Sequence, residues 1–233
     1  MTATLNAMAV HAGFWAETPH CHVWKRAFQA LAAANTGSGS GYDVWLQLRR
    51  YPATLLIYSL GIGAVEPGRL HFLNELLKTP IAREGKDDKL AVELLPPVSL
   101  IDRIETVRLL DGMERRHTPL NDWLHTLLRP LTKRLIPTDA RYTLQFNKLE
   151  ILMALSAGYH SEREPDWYWV PPGYGYRHDN CKSVLQEIEA SLAKHGNGSP
   201  FVKSEIFGTS VAECRKELEA FNTFLQKLHR EMR

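Results

Sequence analysis

Apolar positions recur every three or four residues along most of this chain, which is the period of a helix with one buried face. Leu5, Met8, Ala9 and Ala12 mark a first helix over roughly 3–15, and Thr18-Pro19 breaks it. Val23, Trp24, Phe28 and Leu31 place a second helix from about His20 to Asn35. Asp43 can cap a helix through Val44, Trp45 and Leu48. Between Ala53 and Val65 the alternation disappears, because almost every residue there is apolar or small. Thirteen helical residues rise about 20 Å, short of the ~30 Å of a hydrocarbon core, so this run predicts a buried helix. Pro52 suits the first turn, and Pro67-Gly68 ends the helix. Gly61 and Gly63 weaken a helix by roughly 1 kcal/mol each relative to alanine, so neighbouring backbone is expected close to them. Leu70, Leu73, Leu76 and Leu77 mark the second arm of a helical hairpin, around which the rest of the chain is expected to pack.

The later elements follow from start and stop signals. Residues 79–89 are charged and loop-like, and Leu90 to Leu95 forms a short helix or strand ended by Pro96-Pro97. Ser99 can cap a helix from Leu100 to Leu110. Thr118-Pro119 is a cap followed by a first-turn proline, and Pro130 should kink or end that helix. Thr138 or Asp139 opens a long helix that closes near Gly158. Trp167 and Trp169 alternate with Tyr168, and Tyr174 and Tyr176 follow Pro-Pro-Gly, so a small aromatic loop or β-hairpin insertion is expected near 165–178. Ser183 begins a helix ending at His195, and residues 201–207 form a short connector. Thr209 or Ser210, with Glu213 placed for a capping box, opens the last helix. The fold class is therefore all-α: an irregular multi-helix bundle of helical hairpins with one small insertion. Residues 1–233 are expected to form a single domain, subdivisible into a helical core over 1–160 and an aromatic loop plus C-terminal helices over 161–233.

Composition narrows the functional classes. A hydrophobic share of 44% against 23% charged residues is that of a globular protein. A net charge of +2 gives no global attraction to nucleic acid or an acidic membrane. Cys21, Cys181 and Cys214 are scattered, with no C-x-x-C, which favours free thiols in a reducing cytoplasm. The N-terminus lacks the basic and apolar regions of a signal peptide and enters helical patterning at once. That start suits a fragment of a longer protein or a subunit docked on a partner.

Candidate chemistry is sparse. His11, His20, Cys21 and His22 are of the types that hold zinc. On a helix, however, His20 and His22 point about 200° apart. Surface residues near a helix start are the expectation, with neither metal nor cofactor. Gly61-Ile62-Gly63 is no phosphate loop, since neither G-x-G-x-x-G nor a following Lys-Ser/Thr is present. No G-x-S-x-G occurs, so no catalytic residues are assigned. Leu60-Gly61, Ala64 and Gly68 echo the spacing of a tetratricopeptide unit, without a second copy. Arg115, Arg116 and His117 precede the helix start at Thr118, and Asp122 falls in its first turn, where an acid favours the dipole. With Arg49 and Arg50, and with Arg129, Lys133 and Arg134 alongside, they offer a local phosphate or partner contact. Trp167, Trp169, Tyr174 and Tyr176 are either a lid on the helical core or a recognition surface.

The stretches LRRYPATLLIYSLGIGAVEPGR and MERRHTPLNDWLHTLLR, with FGTS at 207–210, resemble a helical accessory region of large bacterial anti-phage proteins. In those proteins the region lies downstream of effector or sensor domains such as SIR2-like modules. The resemblance covers most of the chain and carries no catalytic residues. No effector domain precedes the region in this sequence. It implies a non-catalytic interaction or regulatory module, with a protein partner or companion domain in a larger bacterial assembly and no membrane. Two alternatives stand beside it: a nucleic-acid-binding module using the arginine-rich faces, and an enzyme whose site assembles only in three dimensions.

Overall fold

A computed structural model describes residues 2–33, 50–83, 86–95, 112, 119–160 and 180–231. Helix α1 spans Thr2–Trp15 and α2 spans Cys21–Ala33. The central hairpin is α3 (Tyr51–Val65) and α4 (Leu70–Leu77). Strands β1 (Pro80–Arg83) and β2 (Lys86–Leu90) follow, then a single turn, α5 (Ala91–Leu94). Helices α6 (Pro119–Thr132) and α7 (Asp139–His160) precede α8 (Asn180–His195), the short α9 (Pro200–Lys203) and α10 (Val211–Glu231). The described residues are thus mostly helical, with one small antiparallel hairpin.

That hairpin lies at 80–90, in a stretch that reads as a charged loop. It pairs Ile81 with Lys89 and carries a bulge between Ile81 and Arg83. β1 packs on α2, where Gln29 donates to the Pro80 carbonyl (3.1 Å), while Asp87 and Asp88 of β2 are exposed, so KDDK can occupy the ribbon without apolar alternation. Ile81 provides a buried anchor. The aromatic stretch 165–178 lies outside the described residues, as do the helices expected around Val44 and from Leu100 to Leu110.

Helix α3 is the hub. All thirteen residues from Ala53 to Val65 are buried, which accounts for the missing polar stripe. It packs against α1, α2, α4, α6 and α7. Leu56, Leu60 and Ala64 are fully enclosed. The approach of α1 is the tightest. A Cβ on Gly63 would lie 2.2 Å from the Val10 carbonyl oxygen, and one on Gly13 would lie 2.1 Å from that of Leu60. The two glycines let the backbones of α1 and α3 meet reciprocally, as close-packed helices require. Gly61 instead faces the Leu149 side chain of α7, not backbone. Gly68 supplies the left-handed turn between α3 and α4, at φ +77°. Within that turn Arg69 donates to the carbonyls of Phe14 (2.7 Å) and Ala16 (2.9 Å), so a cation closes the C-terminus of α1.

Capping signals place most other ends. Pro119 opens α6, and the helix ends two residues beyond Pro130. Arg129 then ties the turn into α7, donating to the Ile136 and Pro137 carbonyls (both 2.8 Å) and to Asp139 (2.6 Å). At the start of α10, the Ser210 hydroxyl accepts from the Glu213 backbone N–H, while Glu213 accepts from the Thr209 N–H and hydroxyl and from Tyr159. This is the expected capping box, with the acid reaching one residue further back.

Candidate functional site

Two places stand out: the outer face of α1 and a sealed polar nest between α3, α6 and α7. Helix α1 contains no Asp, Glu, Lys or Arg. Its inner residues Ala9, Val10 and Gly13 are buried against α3. On the opposite side Met8 is 59% exposed and Trp15 is 64% exposed. Thr4, Met8, His11 and Trp15 follow a four-three-four spacing, which makes one continuous stripe on a helix. Trp15 is braced edge-on by Phe14, with ring centroids 4.8 Å apart. Solvent thus meets a broad stripe without Asp, Glu, Lys or Arg on a helix whose other side is fixed to the hub.

The polar nest is the reverse, with polar chemistry held away from water. Glu150 of α7 is buried, and its Oε1 accepts from Asn121 Nδ2 of α6 (2.5 Å) and from the Tyr58 hydroxyl of α3 (3.2 Å). Burial pushes its carboxyl up to about 8, opposed by those two hydrogen bonds and reinforced by the charge of Asp122. Glu150 is therefore mostly protonated near neutrality. Burial likewise raises Tyr58, with the nearby Glu150 adding to the rise. Phe146 stacks obliquely on Tyr58 at 5.6 Å, and His125 meets Phe146 edge-on at 5.1 Å. The Tyr142 hydroxyl donates to the His125 carbonyl (2.7 Å), closing the nest toward the α6–α7 turn. A carboxyl so enclosed joins three helices.

Of the residues singled out from the sequence, Asp122 lies inside this nest rather than on the surface. Arg50 is half-buried at the start of α3, where its carbonyl accepts from the Thr54 N–H. Arg49, Arg115, Arg116, His117, Trp167, Trp169, Tyr174 and Tyr176 lie outside the described residues. Arg129 is committed to the α6–α7 turn, with its guanidinium also 5.2 Å from the centre of the Tyr142 ring. Lys133 and Arg134 are exposed nearby. Around α2, His20 Nδ1 accepts from the Glu17 N–H (3.3 Å), and His22 Nδ1 lies 2.7 Å from the Pro19 carbonyl. Cys21 is buried. Among the described residues no three His, Cys, Asp or Glu side chains converge to hold a metal ion.

Burial raises all three thiols, that of Cys181 to about 12 and that of Cys214 to about 11, so none is an activated nucleophile. No helix among the described residues is long and apolar enough to cross a membrane. The sequence reading missed Tyr58, Asn121 and Glu150. The one available signal was an acid set among Leu149, Ile151 and Leu152, where a solvated face would not be apolar. No family model matches the chain, and neither a curated protein nor a solved structure does.

Proposed function

We propose that this chain is a non-catalytic helical interaction or regulatory module that docks a helix-bearing protein partner, or a companion domain, on the outer face of α1. One observation carries the reading: a helix without Asp, Glu, Lys or Arg shows Met8 and Trp15 to solvent while its other side is pinned to the hub. Interface cores are depleted in charge and enriched in Met and aromatic residues, and tryptophan is prominent among binding hot spots. The heptad-like spacing of the stripe matches a helical partner. The reading agrees with the resemblance noted in the sequence, which places such regions in large bacterial assemblies of anti-phage defence.

The test is co-expression with the proteins encoded beside it, followed by co-purification. The double variant Met8→Lys, Trp15→Glu should leave stability within about 1 kcal/mol, since both sites are exposed. It should abolish any stoichiometric complex that the parent chain forms. A complex that survives the double variant places the docking surface elsewhere.

A further inference from the structure

Side-chain size changes along the outer face of α1 in one direction. Thr4 stands at one end of the stripe and Trp15 at the other, with Met8 and His11 between them. The ends lie about 16 Å apart along the helix. Two such faces laid in the same direction stack Trp15 on Trp15 and leave Thr4 facing Thr4, which wedges one end open and leaves a gap at the other. Laid in opposite directions, each Trp15 falls over a Thr4, and each Met8 falls beside a His11. Large then meets small at both ends, as dense packing requires. Opposed helix dipoles favour the same arrangement.

Charge points to the same occupant. Partners of different sequence are commonly selected by complementary charge, and α1 has no Asp, Glu, Lys or Arg to be read in that way. Pairing the face with itself sets no like-charged side chains of those kinds against each other. A self-complementary patch closes as a two-fold dimer, the commonest symmetric assembly of soluble chains. Area sets the strength. Trp15, 64% exposed, and Met8, 59% exposed, dominate a contact of roughly 400–500 Å² per copy, or about 900 Å² in all. That falls between the ~800 Å² ceiling of ordinary packing contacts and the ~1,200 Å² of stable complexes, which suits a reversible dimer with Kd of about 100 µM.

We propose that the occupant of the α1 face is a second copy of this chain, held α1 against α1 in antiparallel register with the two-fold axis between Met8 and His11. The inference rests on the reading of that face as a docking surface and names what docks there.

The test uses the full chain in sedimentation equilibrium. The average mass should stay near that of the monomer at about 10 µM and move most of the way to the dimer at about 500 µM. Met8→Lys, Trp15→Glu should remain monomeric throughout, with an unchanged circular dichroism spectrum. A short bismaleimide should link two copies of His11→Cys, beyond any background from the native thiols of the parent, and should not link Thr4→Cys, whose sites lie about 16 Å apart along the paired helices. A parent chain that is monomeric at every concentration overturns the proposal, and so does a dimer that the double variant forms equally well. Linkage of Thr4→Cys in place of His11→Cys overturns it too. The docking reading fails separately, when a complex with a different chain survives the double variant.

Discussion

Replacing Glu150 by glutamine should make the protein's stability less sensitive to pH. An unfolded chain releases this proton at an ordinary carboxyl value of 4.5, whereas the fold holds it up to about 8. Below the unfolded value both states are protonated and the favourable contribution of the neutral acid is fully present. As pH rises between the two values, the unfolded state loses its proton first. Stability therefore falls, and it levels off once the folded carboxyl ionises. At ~1.4 kcal/mol per pH unit, the loss between about pH 5 and about pH 7 is roughly 2.5 kcal/mol, or about 5–10 °C in Tm for a chain of this size. His160 runs the opposite way, since burial and then Lys78 lower its value, but it is common to both proteins.

In Glu150→Gln the amide oxygen can still accept from Asn121 and Tyr58, and the group has no proton to lose. Thermal melts followed by circular dichroism at a series of pH values would give the two curves. Their difference should change by about 2.5 kcal/mol over that range, with the variant gaining on the parent toward alkaline pH. Parallel curves would show that Glu150 titrates alike in the folded and unfolded states, and the neutral buried acid would be wrong. Glu150→Ala is the complementary control. It leaves two buried donors without an acceptor and should be destabilised at every pH, by about 2–5 kcal/mol.

Further outcomes follow from the packing. Gly63→Ala drives a methyl into the Val10 carbonyl oxygen and should cost about 3 kcal/mol or more. Gly68→Ala meets open space and bears only the strain of its positive φ, about 1 kcal/mol, so equal denaturation midpoints would refute the α1–α3 contact. Arg129→Ala removes a guanidinium that holds two carbonyls and should cost about 2–3 kcal/mol in a denaturant melt. Asp139→Asn, at an 89% exposed side chain, should cost less than about 1 kcal/mol. Dialysis against a chelator should leave Tm and the sedimentation profile unchanged; a shift in either would reveal a structural metal.

The sequence by itself determined the helical class, the burial of α3 and most element ends. Those features rest on interactions between near neighbours. Pro119 fits a first helical turn wherever the helix lies, and Ser210 with Glu213 closes a box four residues long. An unbroken apolar run from Ala53 to Val65 has no face it can leave in water. The tertiary structure decided the rest. Gly63 announced a close approach, but nothing near it in sequence named Gly13 as its counterpart. The strands at 80–90 show no alternation, because β2 leaves Asp87 and Asp88 in solvent and the ribbon rests on Ile81. Glu150 reads locally as one more helix acid. Burial raises its carboxyl, against hydrogen bonds from Tyr58, ninety-two residues away, and Asn121, twenty-nine away. Desolvation is set by the whole surrounding shell, and that shell is assembled from helices whose order in space no local pattern records.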